Sequence, residues 1–441
     1  MKQKAIVIGS GISGLSSAKL LSEDYDVEVL EAAPNIGGLI KCDRVDGALF
    51  HRVGGHVFNS RNKEVLDWFW NHFNRDEEFL LAKRNAKILF DGQYIGYPLE
   101  NYLYQLPEEK VREIVTELLE MIAEKKDAET TYDNFRDFLI GNFGTKLYNL
   151  YFGPYNSKIW NTDISKVPLE WLDGKLPMPQ IKEVIVSNIL KREEGTMVHA
   201  TFWYAKRGGS QFIVDRLSEG LNIHPSTPLT SLQIKDKQLS INNGAFTSSV
   251  LVYCGDVRKL KDIIRINDDE LSEALEAVKD FASNGTSNVL CETDDNDISW
   301  LYLPQEGFKA HRIIYTGNFS PTNNEVPSGR KTCTVEFSGK QEEDYMLQEL
   351  AKLPGNLKPI AFNYEPNSYI IHDKQTAVKV KRVKQALARY NVYLLGRFAE
   401  WEYYNMDKCI EAAMELKTRL STQQNNREET SFSHNNISAQ A

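Results

Sequence analysis

The most constraining feature of this 441-residue sequence is a glycine pattern that follows its first apolar run, Ala5–Ile8. A short run of this kind is typical of a buried parallel strand. Three glycines then occur in the spacing G-x-G-x-x-G: Gly9, Gly11 and Gly14. The first permits a tight turn, the second lets the backbone approach a pyrophosphate, and the third lets a helix pack closely on the sheet. The pattern therefore predicts a strand, a phosphate-binding turn and a helix over about residues 13–22.

An acidic residue completes the pattern at the end of the next predicted strand, Val27–Leu30. Glu31 follows that strand, about 20 residues after the glycines, where dinucleotide-binding folds place a carboxylate on the ribose. A lone glycine pattern is weak evidence, but strand, helix and acid together predict a dinucleotide site. Two more glycine pairs, Gly37-Gly38 and Gly54-Gly55, either let backbone lie against the same ligand or form ordinary loops.

Length and charge limit the class of protein. A chain of this length predicts two or three domains, and a net charge of −9 argues against a nucleic-acid binder that relies on a general positive field. The five cysteines are scattered without metal-binding spacing, which favours reduced thiols and a cytoplasmic location. No apolar run approaches the roughly 18 residues that span a bilayer, so no membrane span is expected.

Two local predictions concern segments outside the glycine pattern. Residues 151–179, YFGPYNSKIWNTDISKVPLEWLDGKLPMP, are dense in Tyr, Trp, Asn, Gly and Pro, which disfavour regular helix, so we predict a ligand-lining loop there. Aromatic packing at a corner between helices is the alternative. Ser60 is predicted to cap a helix that runs to about Asn74.

Four segments carry a resemblance to a known family. They are GGHVFNSRN from Gly54, PYNSKIW from Pro154, WLYLPQ with HRIIYTGNFSP from Trp300, and LLGRFAEWEYYNMDKCIEAA from Leu394. With the glycine pattern, they resemble UDP-galactopyranose mutases, in the superfamily that includes the amine and protoporphyrinogen oxidases. The resemblance runs from residue 4 to about 418.

The resemblance implies a fold and a division of the chain. The expected fold is α/β: a discontinuous Rossmann-like FAD-binding domain, an inserted helical domain and a second, mostly antiparallel β-sheet substrate domain. The expected boundaries are 1–98, 207–283 and 374–420 for the FAD-binding domain, 99–206 for the helical substrate-loop domain, 284–373 for the sheet domain and 421–441 for a disordered tail.

The resemblance also implies a reaction. In that family the N5 atom of reduced FAD attacks the anomeric carbon of a nucleotide-diphosphate sugar and displaces the nucleoside diphosphate. The sugar ring then opens and recloses one atom smaller, without net redox change. The implied role is cell-surface polysaccharide biosynthesis. NAD(P)H or a reductase is the candidate electron source, and a homodimer is the candidate assembly.

The resemblance places substrate-binding residues around this reaction. Tyr155 is expected to stack on the uracil, Trp160 to line the sugar side and Arg312 to grip the diphosphate, while Tyr302 and Tyr403 offer hydroxyls to phosphate oxygens. Arg312 as an exposed strand residue and Tyr403 as an ordinary core residue are the alternatives.

Two positions depart from the family pattern. Lys175 or Pro179 stands where a mobile-loop arginine is expected, and Lys175 is taken as the substrate-binding residue there, although lysine lacks the planar fork of arginine. Asn405 stands where many bacterial mutases have an acidic residue. Either change indicates a different nucleotide sugar or a loss of activity on UDP-galactose.

The cofactor-binding set implied by the resemblance follows the glycine-rich segments and the C-terminal segment. It comprises Gly9, Ser10, Gly11, Ser13, Gly14, Glu31, Gly38, Gly55, His56, Gly396, Arg397, Asn405 and Met406. His56 is expected beside the flavin ring and Arg397 close to flavin and phosphate, and with Arg312 they are the expected catalytic residues. A His56 that only bonds backbone is the alternative.

Two other functions remain open from the sequence. One is an FAD-dependent oxidoreductase of the protoporphyrinogen or amine oxidase type, which needs neither a uracil-stacking tyrosine nor a diphosphate-binding arginine. The other is a flavin-fold protein that binds a nucleotide sugar without turnover.

Overall fold

The structure, a computed structural model, describes residues 2–124, 131–169, 180–192, 200–235 and 238–438. The strands are β1 (Gln3–Ile8), β2 (Tyr25–Leu30), β3 (Cys42–Val45), β4 (Ala48–His51), β5 (Phe79–Lys83), β6 (Ala86–Phe90), β7 (Gln93–Gly96), β8 (Thr201–Ala205), β9 (Asn222–His224), β10 (Leu232–Lys235), β11 (Gln238–Ile241), β12 (Phe246–Ser248), β13 (Val250–Tyr253), β14 (Ile264–Arg265), β15 (Ser283–Thr293), β16 (Trp300–Tyr302), β17 (Ala310–Ile314), β18 (Lys331–Ser338), β19 (Lys358–Ile370) and β20 (Val392–Leu394). The helices are α1 (Ile12–Leu21), α2 (Lys63–Trp70), α3 (Arg75–Glu78), α4 (Glu108–Glu124), α5 (Phe135–Leu147), α6 (Gly153–Trp160), α7 (Ile181–Ile189), α8 (Ser210–Ser218), α9 (Leu260–Ile263), α10 (Asp269–Glu276), α11 (Glu343–Leu350), α12 (Thr376–Ala388) and α13 (Met406–Ser438).

A five-stranded parallel sheet is built from three distant parts of the chain. Its strand order is β20-β13-β1-β2-β9, and every neighbouring pair is parallel. Alternate residues of β1 enter different cores: Val7 packs with α1 and α13 on one face, and Ile6 packs with α10 and α12 on the other. Helices therefore cover both faces of the sheet, which confirms the predicted discontinuous Rossmann-like domain.

A second sheet of seven strands lies after the helical region. Its order is β19-β15-β18-β17-β16-β6-β7, and each neighbouring pair is antiparallel except β16 with β6. This confirms a second, mostly antiparallel sheet, although β6 and β7 come from residues before the helical region. In β16 and β17, Tyr302 lies directly opposite Arg312.

The helical region packs against this second sheet. Helices α4 to α7 share one apolar core with β6 and β16, in which Leu118, Phe135 and Leu147 are buried beside Ile88 and Tyr302. The packing brings α6 close to β17 and β18. Tyr155 of α6 therefore meets Tyr302 of β16 in this core.

Within the predicted loop at residues 151–179, the prediction is wrong for Gly153–Trp160, because that segment forms the helix α6, and residues 170–179 lie outside the described residues. Pro154 is tolerated since it stands in the first turn, where its missing N–H would have no helical partner. The helix stops at Asn161, which adopts a left-handed conformation at φ 50°. Composition misled the prediction because burial of Tyr155 and Ile159 stabilises the helix through tertiary packing.

Two further local details differ from expectation. The cap of α2 is Asn62 rather than Ser60, because the Asn62 side chain accepts hydrogen bonds from the backbone N–H groups of Glu64 and Val65. The long strand β19 was not anticipated. Its two prolines argued against a strand, but β19 lies at an edge of its sheet, where proline is tolerated.

The last helix, α13, continues to Ser438, beyond the point at which we predicted a disordered tail. The predicted disorder of that tail, like the domain boundaries, stays a prediction. Every helix among the described residues is too short or too polar to cross a lipid bilayer.

Candidate functional site

The turn between β1 and α1 has the geometry of a dinucleotide cradle. Gly9 has φ +99°, which favours glycine. A Cβ atom on Gly14 would lie only 1.8 Å from the carbonyl oxygen of Gly9, so only glycine lets α1 approach the strand. A Cβ on Gly38 would lie 3.0 Å from the Cα of Gly11, so two glycine segments meet at this turn.

Glu31 fixes the turn from the end of β2. Its Oε2 accepts hydrogen bonds from the backbone N–H of Ser10 (2.8 Å) and from the Ser10 hydroxyl (2.5 Å). Its Oε1 accepts from the backbone N–H of Ala33 (2.8 Å). A carboxylate oxygen has two lone pairs, so Oε1 retains acceptor capacity for a ribose hydroxyl while the side chain is held in place.

The C-terminal segment closes over the same turn. Gly396 has φ +103°, and a Cβ atom there would lie 2.5 Å from the Ser13 hydroxyl oxygen. Asn405 and Met406, at the start of α13, line the cavity described next. Gly396 does not line that cavity but allows the segment to approach α1.

One cavity of about 680 Å³ extends from this cradle to the second sheet. The expected site residues in its wall are Gly9, Ser10, Gly11, Ser13, Glu31, Gly38, Gly55, His56, Tyr302, Arg312, Arg397, Asn405 and Met406. The structure therefore brings the expected dinucleotide-binding and phosphate-binding residues to opposite ends of one space.

His56 lies in the cavity wall as a neutral ring. Its Nε2 is buried and has no hydrogen-bond partner within the described part of the chain. Burial, and then the positive charge of Arg397, lowers the pKa of His56 to about 4. The ring is therefore uncharged at neutral pH, with one nitrogen left for a ligand group.

Arg397 is held by backbone carbonyl groups. Its Nη1 donates to the oxygen of Ser368 (3.1 Å), and its Nη2 donates to that of Tyr404 (2.7 Å). Its guanidinium lies 4.5 Å from the centre of the Tyr403 ring. Tyr403 therefore packs against the guanidinium of Arg397. Tyr403 does not line the cavity, so its expected contact with phosphate stays a prediction.

Arg312 forms a buried ion pair that the sequence did not predict. Its Nε donates to Glu336 Oε2, and its Nη2 donates to the Tyr369 hydroxyl (3.2 Å). Burial opposes the charge of Glu336, but Arg312 and His311 hold the pKa of this carboxyl well below its usual range. Arg312 is therefore an oriented cation whose charge Glu336 already balances.

Tyr302 stands between two arginines. It lies opposite Arg312 in the sheet, and its hydroxyl accepts a hydrogen bond from Arg84 Nη2 (2.6 Å). The Tyr302 ring stacks on Tyr97 at 4.5 Å and meets the edge of Tyr155 at 5.3 Å. The wall at this end combines cations with flat aromatic surfaces.

Tyr155 and Trp160 lie behind the cavity wall. Tyr155 stacks on Tyr151 with ring centres 5.5 Å apart, and Trp160 stacks on Phe135 at the same distance. Neither lines the cavity, so their expected contacts with uracil and sugar stay predictions. Lys175 and Pro179 lie outside the described residues.

Four residues of this site were not anticipated: Arg84, Tyr97, Glu336 and Tyr369. Arg84, Tyr97 and Glu336 stand in or beside strands that the sequence marks only as apolar and alternating, and Tyr369 stands in β19, which was not anticipated. A charged residue inside an apolar strand can indicate a functional site, and Glu336 in the predicted strand Thr332–Phe337 is such a residue. Arg84 and Tyr97 carry no comparable signal because their partners are distant in sequence.

Comparison with known proteins agrees with this geometry. A family model described as an NAD(P)-binding Rossmann-like domain matches residues 7–73. A UDP-galactopyranose mutase of Mycoplasma pneumoniae is 23% identical over 94% of this chain and 95% of the relative. A dTDP-fucopyranose mutase of Escherichia coli is 29% identical over 40% of this chain and 46% of the relative.

Solved structures agree on the fold. A crystal structure of reduced UDP-galactopyranose mutase superposes with a TM-score of 0.84 at 19% identity, over 96% of this chain and 94% of the other. A putative protoporphyrinogen oxidase of Exiguobacterium superposes with a TM-score of 0.72 at 15% identity, over 96% and 99%. The resemblance predicted from the sequence is therefore confirmed along nearly the whole chain, and the fold is that of these flavoenzyme-type structures.

Proposed function

We propose that this protein is an FAD-dependent nucleotide-sugar mutase, which interconverts the pyranose and furanose forms of a sugar of the UDP-galactose type. The observation that carries the proposal is the cavity of about 680 Å³, which is lined both by the dinucleotide cradle and by arginines and tyrosines. Whole-length similarity to a UDP-galactopyranose mutase supports the same reaction.

The residues of the cradle fit FAD. Gly14 and Gly396 are positions that a Cβ would block, and Glu31 retains acceptor capacity for a ribose hydroxyl. The unpartnered Nε2 of His56 leaves one polar position open for the cofactor. When bound in its reduced form, FAD supplies an electron-rich nitrogen that is a nucleophile for the anomeric carbon.

The residues of the chain bind and orient the substrate around this chemistry. Arg312, held by Glu336 and Tyr369, presents an oriented guanidinium to a diphosphate leaving group. Tyr302 offers a hydroxyl beside it, and aromatic residues around Tyr302 exclude water, which strengthens electrostatic interactions within the cavity. A neutral His56 adds no positive charge beside a sugar carbon that becomes electron-poor as the diphosphate leaves.

The test is interconversion by reduced protein. Protein loaded with FAD is incubated anaerobically with UDP-galactopyranose or UDP-galactofuranose, with dithionite or NADPH as the reductant, and dTDP-fucose is run in parallel. We expect interconversion with reduced protein and none with oxidised protein. Interconversion that is equally fast with oxidised flavin would overturn the proposed chemistry.

An oxidase of the protoporphyrinogen type is the second candidate, favoured by the superposition with the putative protoporphyrinogen oxidase. Such an enzyme predicts that a porphyrinogen or an amine bleaches the oxidised flavin and that oxygen then yields peroxide. Anaerobic bleaching by these reductants, with no effect of nucleotide sugars, would replace the mutase by the oxidase. Tight UDP-sugar binding without any interconversion would instead indicate a non-catalytic binder.

A further inference from the structure

Arg84 is the cavity residue whose environment is hardest to explain without a ligand. It lies between β5 and β6, and its side chain reaches the cavity wall beside Tyr302. We propose that Arg84 is a phosphate-binding residue that, together with Arg312, holds the diphosphate of the substrate. This inference rests on the proposed function and adds a residue that the sequence motifs do not identify.

The charge of Arg84 has no counterion in the part of the chain that the structure describes. No carboxylate among the described residues forms an ion pair with it, and its Nε is buried without a hydrogen-bond partner there. Arg312, in contrast, is paired with Glu336. Arg84 is partly buried, and a charge that is withdrawn from water without a counterion is unfavourable. An anionic ligand in the adjoining cavity would relieve that cost.

The guanidinium of Arg84 is already oriented. Its Nη2 donates to the Tyr302 hydroxyl (2.6 Å), and its carbon lies 4.9 Å from the Tyr97 ring centre and 5.2 Å from that of Trp300. The backbone N–H of Arg84 donates to the oxygen of Ala200 (2.9 Å). Aromatic rings and these hydrogen bonds fix the planar group, which leaves its remaining N–H groups for bidentate contact with a phosphate.

The position of Arg84 indicates which phosphate it binds. Tyr302 is bonded to Arg84 and lies directly opposite Arg312, so the two guanidinium groups flank one tyrosine in the second sheet. The pyrophosphate of a bound dinucleotide is expected at the start of α1, where the Gly9–Gly14 turn presents backbone N–H groups. Arg84 lines the cavity beside Tyr302 of the second sheet rather than at the start of α1, so we assign it to the substrate rather than to the cofactor.

The experiment measures nucleotide binding to FAD-loaded protein by calorimetry. The ligands are UDP, dTDP and uridine, and the variants are Arg84→Met, Arg84→Lys and, as a matched control, Arg75→Met, which removes an exposed arginine outside the cavity. We expect Arg84→Met to weaken UDP binding by about tenfold or more, with uridine binding changed far less. Arg84→Lys keeps the charge without the fork and is expected to lie between Arg84→Met and the unaltered protein.

The outcomes separate this inference from the proposed function. Unaltered UDP affinity in both Arg84 variants, in protein with full flavin content, would overturn the inference and leave the mutase proposal standing. Failure of the unaltered protein to bind UDP or dTDP would overturn the mutase proposal and this inference with it. Loss of flavin from both variants, with UDP affinity retained, would assign Arg84 to the cofactor and overturn the inference.

Discussion

Glu336 accepts a hydrogen bond from Arg312 through one carboxylate oxygen, Oε2. Its other oxygen, Oε1, accepts from the backbone N–H of Gly54 (2.9 Å). A single buried side chain therefore connects the proposed phosphate-binding arginine to the segment that carries His56. Gly54 has φ +68°, a conformation that favours glycine, and its Cβ position is 3.4 Å from His56 Nε2. Arg312 and the backbone two residues before His56 are thus held by the same carboxylate.

The ion pair itself leads to a first prediction. Arg312→Met leaves Glu336 as a buried, unbalanced charge and is expected to lower the free energy of unfolding by about 3–5 kcal/mol. Glu336→Gln leaves Arg312 partly exposed at the cavity, so its loss is expected to be smaller. The double variant is expected to lose less than the sum, by about 1–3 kcal/mol. Urea unfolding of the four proteins measures this coupling. Additive losses would show that the two side chains do not interact energetically.

The second prediction concerns cofactor binding. Glu31→Ala removes both the ribose acceptor and the hydrogen bonds to Ser10, so it should weaken FAD binding by about 1–3 kcal/mol. Titration of the apoprotein with FAD gives the affinity. Glu28→Ala is the matched control, because Glu28 lies on the same strand but pairs with Lys4 and His224 outside the cavity. Equal effects of the two substitutions would contradict a direct role for Glu31.

Lys158 provides a third prediction, because its amine connects α6 to the loop after β16. It donates to the backbone oxygens of Leu303 (2.6 Å), Gln305 (2.8 Å) and Phe308 (2.8 Å). Lys158→Met leaves these three oxygens without the amine and should lower the free energy of unfolding by about 2–4 kcal/mol.

Lys158 is also expected to affect nucleotide binding, because it fixes the position of the helix α6. Tyr155 is carried by the same helix and touches Tyr302, so UDP affinity should also fall while flavin content is unchanged. Lys166→Met, at an exposed lysine, is the control for the loss of one positive charge. A Lys158 variant as stable as the control would refute the bridging role.

The fourth prediction is a dependence of stability on pH. Burial lowers the pKa of His51 to about 3 and that of His56 to about 4. In the unfolded chain both titrate near pH 6.5, so below that pH the unfolded state binds more protons than the folded state. The free energy of unfolding should therefore have its full value above pH 6.5. It should fall on acidification towards pH 4, by about 1.4 kcal/mol per pH unit for each histidine.

Urea unfolding between about pH 6.5 and pH 5 isolates this effect, because carboxyl groups of the unfolded chain titrate lower. His51→Gln should reduce the slope of the free energy of unfolding against pH by the contribution of one histidine, because the glutamine amide does not titrate in this range. His72→Gln, remote from both buried rings, serves as the control. A slope that is unchanged in His51→Gln would mean that His51 is not held neutral in the folded protein.

Sequence alone determined the features that depend on local geometry. The Gly9, Gly11 and Gly14 spacing with Glu31 predicted the cradle, because a tight turn and a close helix approach require glycine at fixed intervals. Asp46-Gly47 and Asp91-Gly92 are local signals of the same kind, because Asp-Gly favours a two-residue hairpin turn, and they stand at the turns of the hairpins β3–β4 and β6–β7. Motif resemblance supplied the fold, the three chain segments of the parallel sheet and thirteen residues of the cavity wall.

Only the tertiary structure decided the helix α6, the charge balance of Arg312 and the position of Arg84. Composition disfavours a helix at residues 154–160, and packing of Tyr155 and Ile159 overrides it. Glu336 neutralises Arg312 from 24 residues away, and Arg84 meets Tyr302 from 218 residues away. Whether an arginine is free to bind a phosphate depends on which charges lie within a few ångströms of it, and distant segments fix those neighbours only when they pack together.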